Sequence, residues 1–235
     1  IVSRVAALPG VECEGIFTHF ATSDCSDLSY TKEQHELFLE ALESLGKKGI
    51  SIPIRHCCNS GATLSFPEWG MEGVRPGQLL AGMYPTDEVP RSIPILPGFS
   101  FKTAISALRY LPGGSGVSYG LTYHTSTEER LAVLPVGYAD GFPRDLSNKG
   151  EVLVHGVRCP VVGRICMDQC MVNVSGLQDV KVGDEAVIIG RQGEEEISIY
   201  EYAEKLGTIV AAIGAMISKR VPRVYLDGSE PVTEQ

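Results

Sequence analysis

Apolar positions along the first hundred residues fall into two rhythms. The run Gly15-Ile16-Phe17-Thr18-His19-Phe20 has the length of a buried strand, and 52–57 is a second such run. Between them Leu37, Phe38, Ala41, Leu42 and Leu45 recur at helical spacing. Thr31 and Gln34 have the form of a capping box for that helix, and Gly46 stops it. Asn59-Ser60 is placed to cap a short helix that Pro67 ends. Gly73-Val74-Arg75 reads as a third strand, closed by Pro76-Gly77. Strands alternating with helices across short loops predict a parallel sheet.

Pro85, Pro90, Pro94 and Pro97 then punctuate a linker, which sets the expected domains at 1–95 and 96–235. Beyond it the pattern is mostly short strands, with candidates at 99–111, 130–136, 151–154, 159–162, 170–174 and 185–189. One helix is marked by a capping box at Ser198 and Glu201, followed by Tyr202, Ala203 and Leu206 and ended by Gly207. This second part predicts a small β barrel or sandwich with a helix.

Composition narrows the class. At 235 residues, 43% hydrophobic and 21% charged, the chain is ordinary globular protein with room for one or two domains. A net charge of −9 argues against a binder of nucleic-acid phosphates or anionic lipid, although it leaves room for a local basic pocket. The apolar stretch 208–217 is too short to span a bilayer and runs into Ser218-Lys219-Arg220. The first residues lack the apolar core of a secretory signal. Ile1-Val2-Ser3-Arg4, with no initiator Met, reads as the interior of a helix and predicts a piece of a longer polypeptide. The seven cysteines show neither C-x-x-C nor a zinc spacing. His56-Cys57-Cys58 reads as packing rather than metal ligation, and the cysteines as reduced thiols of a cytoplasmic protein.

Parallel α/β sheets place their chemistry at strand ends. There the sequence puts His19, then Asn59-Ser60, then Arg75-Pro76-Gly77. A serine at a helix start suits a phosphate, and a glycine lets backbone come close to it. An arginine can donate to an aromatic nitrogen, and a histidine can stack on a flat ring. Taken singly, Ser60 reads equally as a plain cap, His19 as a core histidine and Arg75 as a partner for a core carboxylate. In the second part, Tyr119 and Tyr138 sit in glycine-flanked turns, and 163–169 mixes charge with apolar groups like a loop at a site.

Seven segments, in order, resemble the C-terminal part of the barrel-type alanine racemase family. They are 15–21 (GIFTHFA), 56–62 (HCCNSGA), 74–77 (VRPG), 117–123 (VSYGLTY), 135–141 (PVGYADG), 162–171 (VGRICMDQCM) and 220–223 (RVPR). The resemblance implies the last strands and helices of a (β/α)8 TIM-type barrel followed by a β-rich domain. It implies a pyridoxal 5′-phosphate enzyme that interconverts L- and D-alanine for peptidoglycan by two-base proton transfer. On this resemblance His19 lies against the cofactor ring, Ser60 and Gly77 hold its phosphate, and Arg75 faces the pyridine nitrogen. Tyr119 is one catalytic base, while Met167, Asp168 and Tyr138 line the substrate side. Tyr119 and Met167 are expected to reach the cofactor of the partner subunit in a head-to-tail homodimer.

Two departures from the family pattern stand out. No segment like V-K-A-N-A-Y-G-H-G, which carries the family's cofactor lysine, occurs among the eight lysines, so the chain alone is expected to be inactive. Where the family usually carries a phosphate-binding tyrosine, this chain has Ala211. That substitution keeps open a serine/alanine racemase with a relaxed pocket. An inactive fragment that only dimerises or binds is the alternative from outside enzymology.

Overall fold

The computed structural model of the chain describes residues 1–228, 230 and 231. The chain divides into two compact units, one of residues Ile1–Phe99 and a second from Ser100 on.

In the first unit a four-residue helix, α1 (Val2–Val5), precedes strand β1 (Gly15–Phe17). Helix α2 (Ser29–Gly46) leads back to β2 (Ile54–His56), which pairs with β1 in parallel, Ile16 opposite Arg55. Short helices α3 (Ser60–Ser65) and α4 (Gly77–Leu80) follow. One stripe of α2, Thr31, Phe38 and Leu45, is buried. The core there joins Phe20, Phe38, Cys57, Cys58 and Ala62, with Ile16, Leu42, Trp69 and Met71 packed against it. Trp69 lies sandwiched between the rings of His35 and Phe66, each at a centroid distance of 3.8 Å.

Three expectations for this unit are corrected. The Thr31–Gln34 pair is not a cap: α2 starts two residues earlier, at Ser29, with no side-chain cap at Leu28. Thr31 is buried and hydrogen-bonds Thr22, and Gln34 reaches back to Ala21. Residues 73–75 form no strand, because the described ladder holds only β1 and β2; the Arg75 N–H bonds the Cys58 carbonyl beyond the end of β2. Strand β1 is not buried either, since a two-stranded sheet covered on one side leaves its other face open; Phe17 is 62% exposed.

The second unit is antiparallel throughout. Strands β3 (Phe101–Ala104) and β4 (Ala107–Leu111) divide the expected single strand 99–111, because the chain breaks at Ile105-Ser106 to enter a second sheet. A small ladder, β5 (Gly116–Val117) with β6 (Tyr123–His124), frames a 3₁₀ turn at Tyr119–Leu121. Strand β7 (Glu129–Leu134) pairs with β4 and later with β10 (Cys170–Asn173). The hairpin β8 (Glu151–Val154)–β9 (Val157–Pro160) joins β11 (Glu185–Gln192), which also pairs β3 and β12 (Glu195–Ile197). Val152, Leu153 and Val154, and likewise Ala186 to Ile189, are buried on both strand faces, as expected of central strands covered from both sides. Helix α5 (Ile199–Leu206) is capped by Ser198, whose hydroxyl accepts the Glu201 N–H, and ends at left-handed Gly207. A further helix, α6 (Val210–Met216), forms within 208–217, where the sequence offered no polar cap to mark it. Among the described residues no helix is long and apolar enough to cross a membrane.

Candidate active site

His19 and Ser60, just beyond the ends of β1 and β2, together with Arg75 and Gly77 before and at the start of α4, surround one depression of about 210 Å³, which Asp24, Asn59, Gly61, Gln78 and Pro85 also line. That volume is below the ~300–1,000 Å³ common for ligand pockets, so the feature is an open cradle. Among the described residues Arg75 is the one cation of that lining. One terminal nitrogen donates to the Thr18 carbonyl at 2.8 Å and lies 3.2 Å from His19 Nδ1; the other lies 2.6 Å from His56 Nδ1. These partners are carbonyls and imidazoles, not a carboxylate, so the guanidinium charge is oriented without being neutralised. A fixed cation in that state favours a ligand that brings negative charge or a ring lone pair. His19 is exposed at the rim rather than buried in the core, which leaves a ring face available for stacking.

Asn59 fixes the start of α3. Its Oδ1 accepts from the Ala62 N–H at 3.0 Å and from the Ser23 hydroxyl at 2.6 Å, and its Nδ2 donates to the Phe20 carbonyl. Gln34 holds the same loop from the other side, accepting from the Ala21 N–H and donating to the His19 carbonyl. Buried Ser60 accepts from the Gln78 N–H at 3.1 Å, which joins the first turns of α3 and α4 and leaves the serine proton able to donate to an anion. A Cβ placed on Gly77 would meet nothing within 4 Å, so the cradle is open at the point where a side chain would otherwise fill it. A hydroxyl donor, an open glycine and an uncompensated arginine beside an exposed imidazole fit a flat, nitrogen-containing ring that carries an anionic group.

In the second unit Tyr119, Tyr138, Met167 and Asp168 come from loops that are bonded to one another. The Ser118 hydroxyl donates to the Arg164 carbonyl at 2.6 Å, which ties the Tyr119 turn to the 163–169 loop. The Tyr138 and Ala139 N–H groups donate to the carbonyls of Cys166 and Met167, each at 3.0 Å. At Gly137 the backbones come so close that a Cβ would stand 2.2 Å from the Cys166 carbonyl. The side chains themselves face outward, with Tyr119 74% and Met167 52% exposed.

Arg220 completes this cluster. Its Nε donates to Asp140 at 2.7 Å and its Nη2 to Asp168 at 2.6 Å. Burial alone would raise the Asp140 carboxyl, but the Arg220 hydrogen bond and the Gly137 N–H together hold it below its ordinary range. Asp140 and Arg220 were visible in the sequence only as letters of GYADG and RVPR, because nothing local announces a contact across 80 residues. Among the described residues no group of His, Cys, Asp or Glu could hold a metal ion, and the seven cysteines are free.

Comparison with known proteins places the chain in a family. The family models described as "Alanine racemase, N-terminal domain" and "Alanine racemase, C-terminal domain" match residues 1–85 and 98–225. The alanine racemase of Halothermothrix orenii is 47% identical over 224 residues, 95% of this chain and 59% of that protein. The Bacillus anthracis alanine racemase with bound L-Ala-P superposes with a TM-score of 0.92 at 39% identity, covering 99% of this chain and 60% of that one. The Bartonella henselae alanine racemase with covalently bound pyridoxal phosphate gives 0.79 at 27% identity, covering 91% of this chain and 56% of that one. The chain thus spans about three fifths of the length of the curated relatives it matches.

Proposed function

The chain belongs to the alanine racemase family, and we propose that the protein carrying it interconverts L- and D-alanine by two-base proton transfer, with pyridoxal 5′-phosphate as cofactor. The observation that carries this reading is the convergence of His19, Ser60, Arg75 and Gly77 on one cradle whose donors suit a phosphorylated pyridine. The relatives bound to L-Ala-P and to pyridoxal phosphate support the same ligand class. When bound, the cofactor supplies an electron sink for the carbon that loses its α-proton. Ser60 would donate a hydrogen bond from its hydroxyl to the phosphate, and Gly77 would give that phosphate room. Arg75 would donate an N–H toward the ring nitrogen without giving up the proton, because a guanidinium holds its protons far too firmly to act as an acid there. The exposed His19 ring would be free to stack on that ring.

Tyr119 takes or returns the α-proton at its phenol oxygen on one face of the substrate carbon, while Tyr138, Met167 and Asp168 shape the substrate side. The exposure of Tyr119 and Met167 supports their reaching the cofactor of a second protomer in a head-to-tail homodimer. The open apolar face of β1 and β2 supports reading the first unit as part of a TIM-type barrel, with the division into 1–95 and 96–235 marking where barrel gives way to β domain. The free cysteines favour a cytoplasmic location.

The test is racemisation of L-alanine by the full-length protein loaded with pyridoxal phosphate, with serine run alongside. Racemisation of alanine with a marked preference over serine is expected. A cofactor-bound protein that leaves the α-proton of both amino acids unexchanged would be a binding module instead. One observation favours a relaxed serine/alanine pocket as a second reading: half-buried Ala211 and the open Gly214 leave the start of α6 without bulk.

A further inference from the structure

Arg220 has a fork-shaped side chain shared between two carboxylates that arrive from different loops. We propose that Arg220 is a positioning residue for the substrate side: it clamps Asp168, and with it Met167, to the Tyr138 loop. This rests on the functional reading given to Met167, Asp168 and Tyr138 above.

The two ends of the clamp differ in a telling way. Asp140 is a built-in anchor, with a side chain only 13% exposed and one oxygen accepting the Gly137 N–H at 2.8 Å. Asp168 is an outlying group, 64% exposed, and its carboxylate is tied down by Arg220 at 2.6 Å. Arg220 rises from a stretch that is itself fixed. The Ser218 N–H donates to the Asp140 carbonyl at 3.1 Å. Arg223 closes the end of α6 by donating to the carbonyls of Ile217, Ser218 and Val221. Rigidity therefore passes from the end of α6 through Arg220 to Asp168. Met167 precedes Asp168, and its carbonyl receives the Ala139 N–H, so the clamp and the backbone bonds close one ring of contacts around Tyr138.

Charge adds a second role. Two carboxylates beside a site for an amino-acid carboxylate repel it, and one guanidinium between them halves that local charge. Lysine carries the same charge but lacks the planar fork, so it can serve one carboxylate at a time.

The experiment uses the full-length protein loaded with pyridoxal phosphate and the variants Arg220→Met, Arg220→Lys, Asp168→Asn and the double Arg220→Met/Asp168→Asn. KM for alanine should rise about tenfold in Arg220→Met and about threefold in Arg220→Lys, with kcat within about twofold, the size of effect expected when a charge-assisted contact is lost at a partly exposed place. The double variant should be no worse than the poorer single one, because both remove the same link. Cofactor affinity, governed by residues of the other unit, should not move. Amide exchange at Tyr138 and Ala139 should quicken in Arg220→Met whether or not the protein racemises alanine, which separates failure of the clamp from failure of the activity. Unchanged exchange at those amides, or additive effects of Arg220 and Asp168 on KM, would overturn the proposal. Should Arg220→Met not fold, Asp168→Asn leaves the Arg220–Asp140 pair intact and decides it by the same KM and exchange readings.

Discussion

The two units hold their candidate residues by opposite means. In the α/β unit the side chains are themselves held: Arg75 between carbonyls and imidazoles, Ser60 by the Gln78 N–H, Asn59 by three partners. In the β unit the loop roots are held, Gly137 against Cys166 and Ser118 on Arg164, while the Tyr119 and Met167 side chains stand out from the surface. A binding cradle gains from side chains fixed before the ligand arrives, because less ordering remains to be done on binding. A proton-transferring group needs an accurately placed root and a tip free to meet its partner. On the proposed function, the contrast matches cofactor holding to the first unit and proton transfer to the second.

The sharpest test of that division is Tyr119→Phe in the full-length enzyme. Loss of the phenol should lower racemisation by ~10²–10⁴-fold, the usual weight of a general acid or base. Cofactor affinity should stay as it was, and the loss at the proton-abstraction step should fall unequally on the two enantiomers. Comparable loss of cofactor binding would erase the distinction between the units.

A pair of glycines tests it next. Gly137→Ala drives a methyl into the Cys166 carbonyl and should cost about 1–3 kcal/mol in urea unfolding, as overpacking does. Gly77→Ala meets open space, so stability should hold within ~0.5 kcal/mol. The same methyl should weaken binding of pyridoxal phosphate, because it occupies the cradle. If Gly77→Ala binds pyridoxal phosphate as tightly as the parent protein, the cradle has been misplaced.

How much of this was legible in the sequence follows the range of each signal. The Ser198 cap, the Asn59 cap and the strands at 151–154 and 170–173 come from local chemistry, and local pattern found them. The resemblance named the site residues, and the fold brings the four cofactor candidates to one place. What escaped was set by tertiary partners. Gln34 has the spacing of a cap, yet its amide is claimed by the loop that carries His19. Residues 73–75 have strand composition, yet form no ladder beyond β2. Arg220 carried no local mark because its meaning lies in two aspartates 52 and 80 residues away.

A smaller effect comes from the rigid side of the comparison. The His35 ring stacks on Trp69 with its Nε2 buried and without a partner, and burial pushes its pKa below 6.5 despite Glu36 and Glu68. The unfolded chain then takes up a proton before the folded one does. Stability is fully present above the unfolded pKa and is lost as the pH falls through the lowered folded value. Trp69 is the single tryptophan, so its fluorescence reports this unit selectively. The urea midpoint followed by that signal should drop between about pH 8 and about pH 5, spanning the histidine range. His35→Phe should flatten the drop, and an equal drop in that variant would place the titration elsewhere.

The finest distinction concerns Ala211, at the start of α6, where the family usually carries a phosphate-binding tyrosine. Ala211→Tyr should tighten cofactor binding and move preference from serine toward alanine. A phenol reaching the phosphate adds a charge-assisted hydrogen bond, worth roughly 1.5–3 kcal/mol where it forms well. Overpacking would cost ~1–3 kcal/mol if a neighbour already filled the space, so the net change is a small difference between two similar quantities. The structure tilts that balance toward gain. Ala211 and Ala212 are only half-buried, exposed Ile209 precedes them, and a Cβ on Gly214 would meet nothing within 4 Å, so the helix has slack to admit a ring. Val210 and Ile213 are the buried members of α6, and they point the helix inward without involving 211. The cofactor dissociation constant and the serine-to-alanine ratio of kcat/KM, measured for both proteins, decide the matter. Weaker cofactor binding with an unchanged ratio would mean that the space is taken, and the relaxed-pocket reading would fall with it.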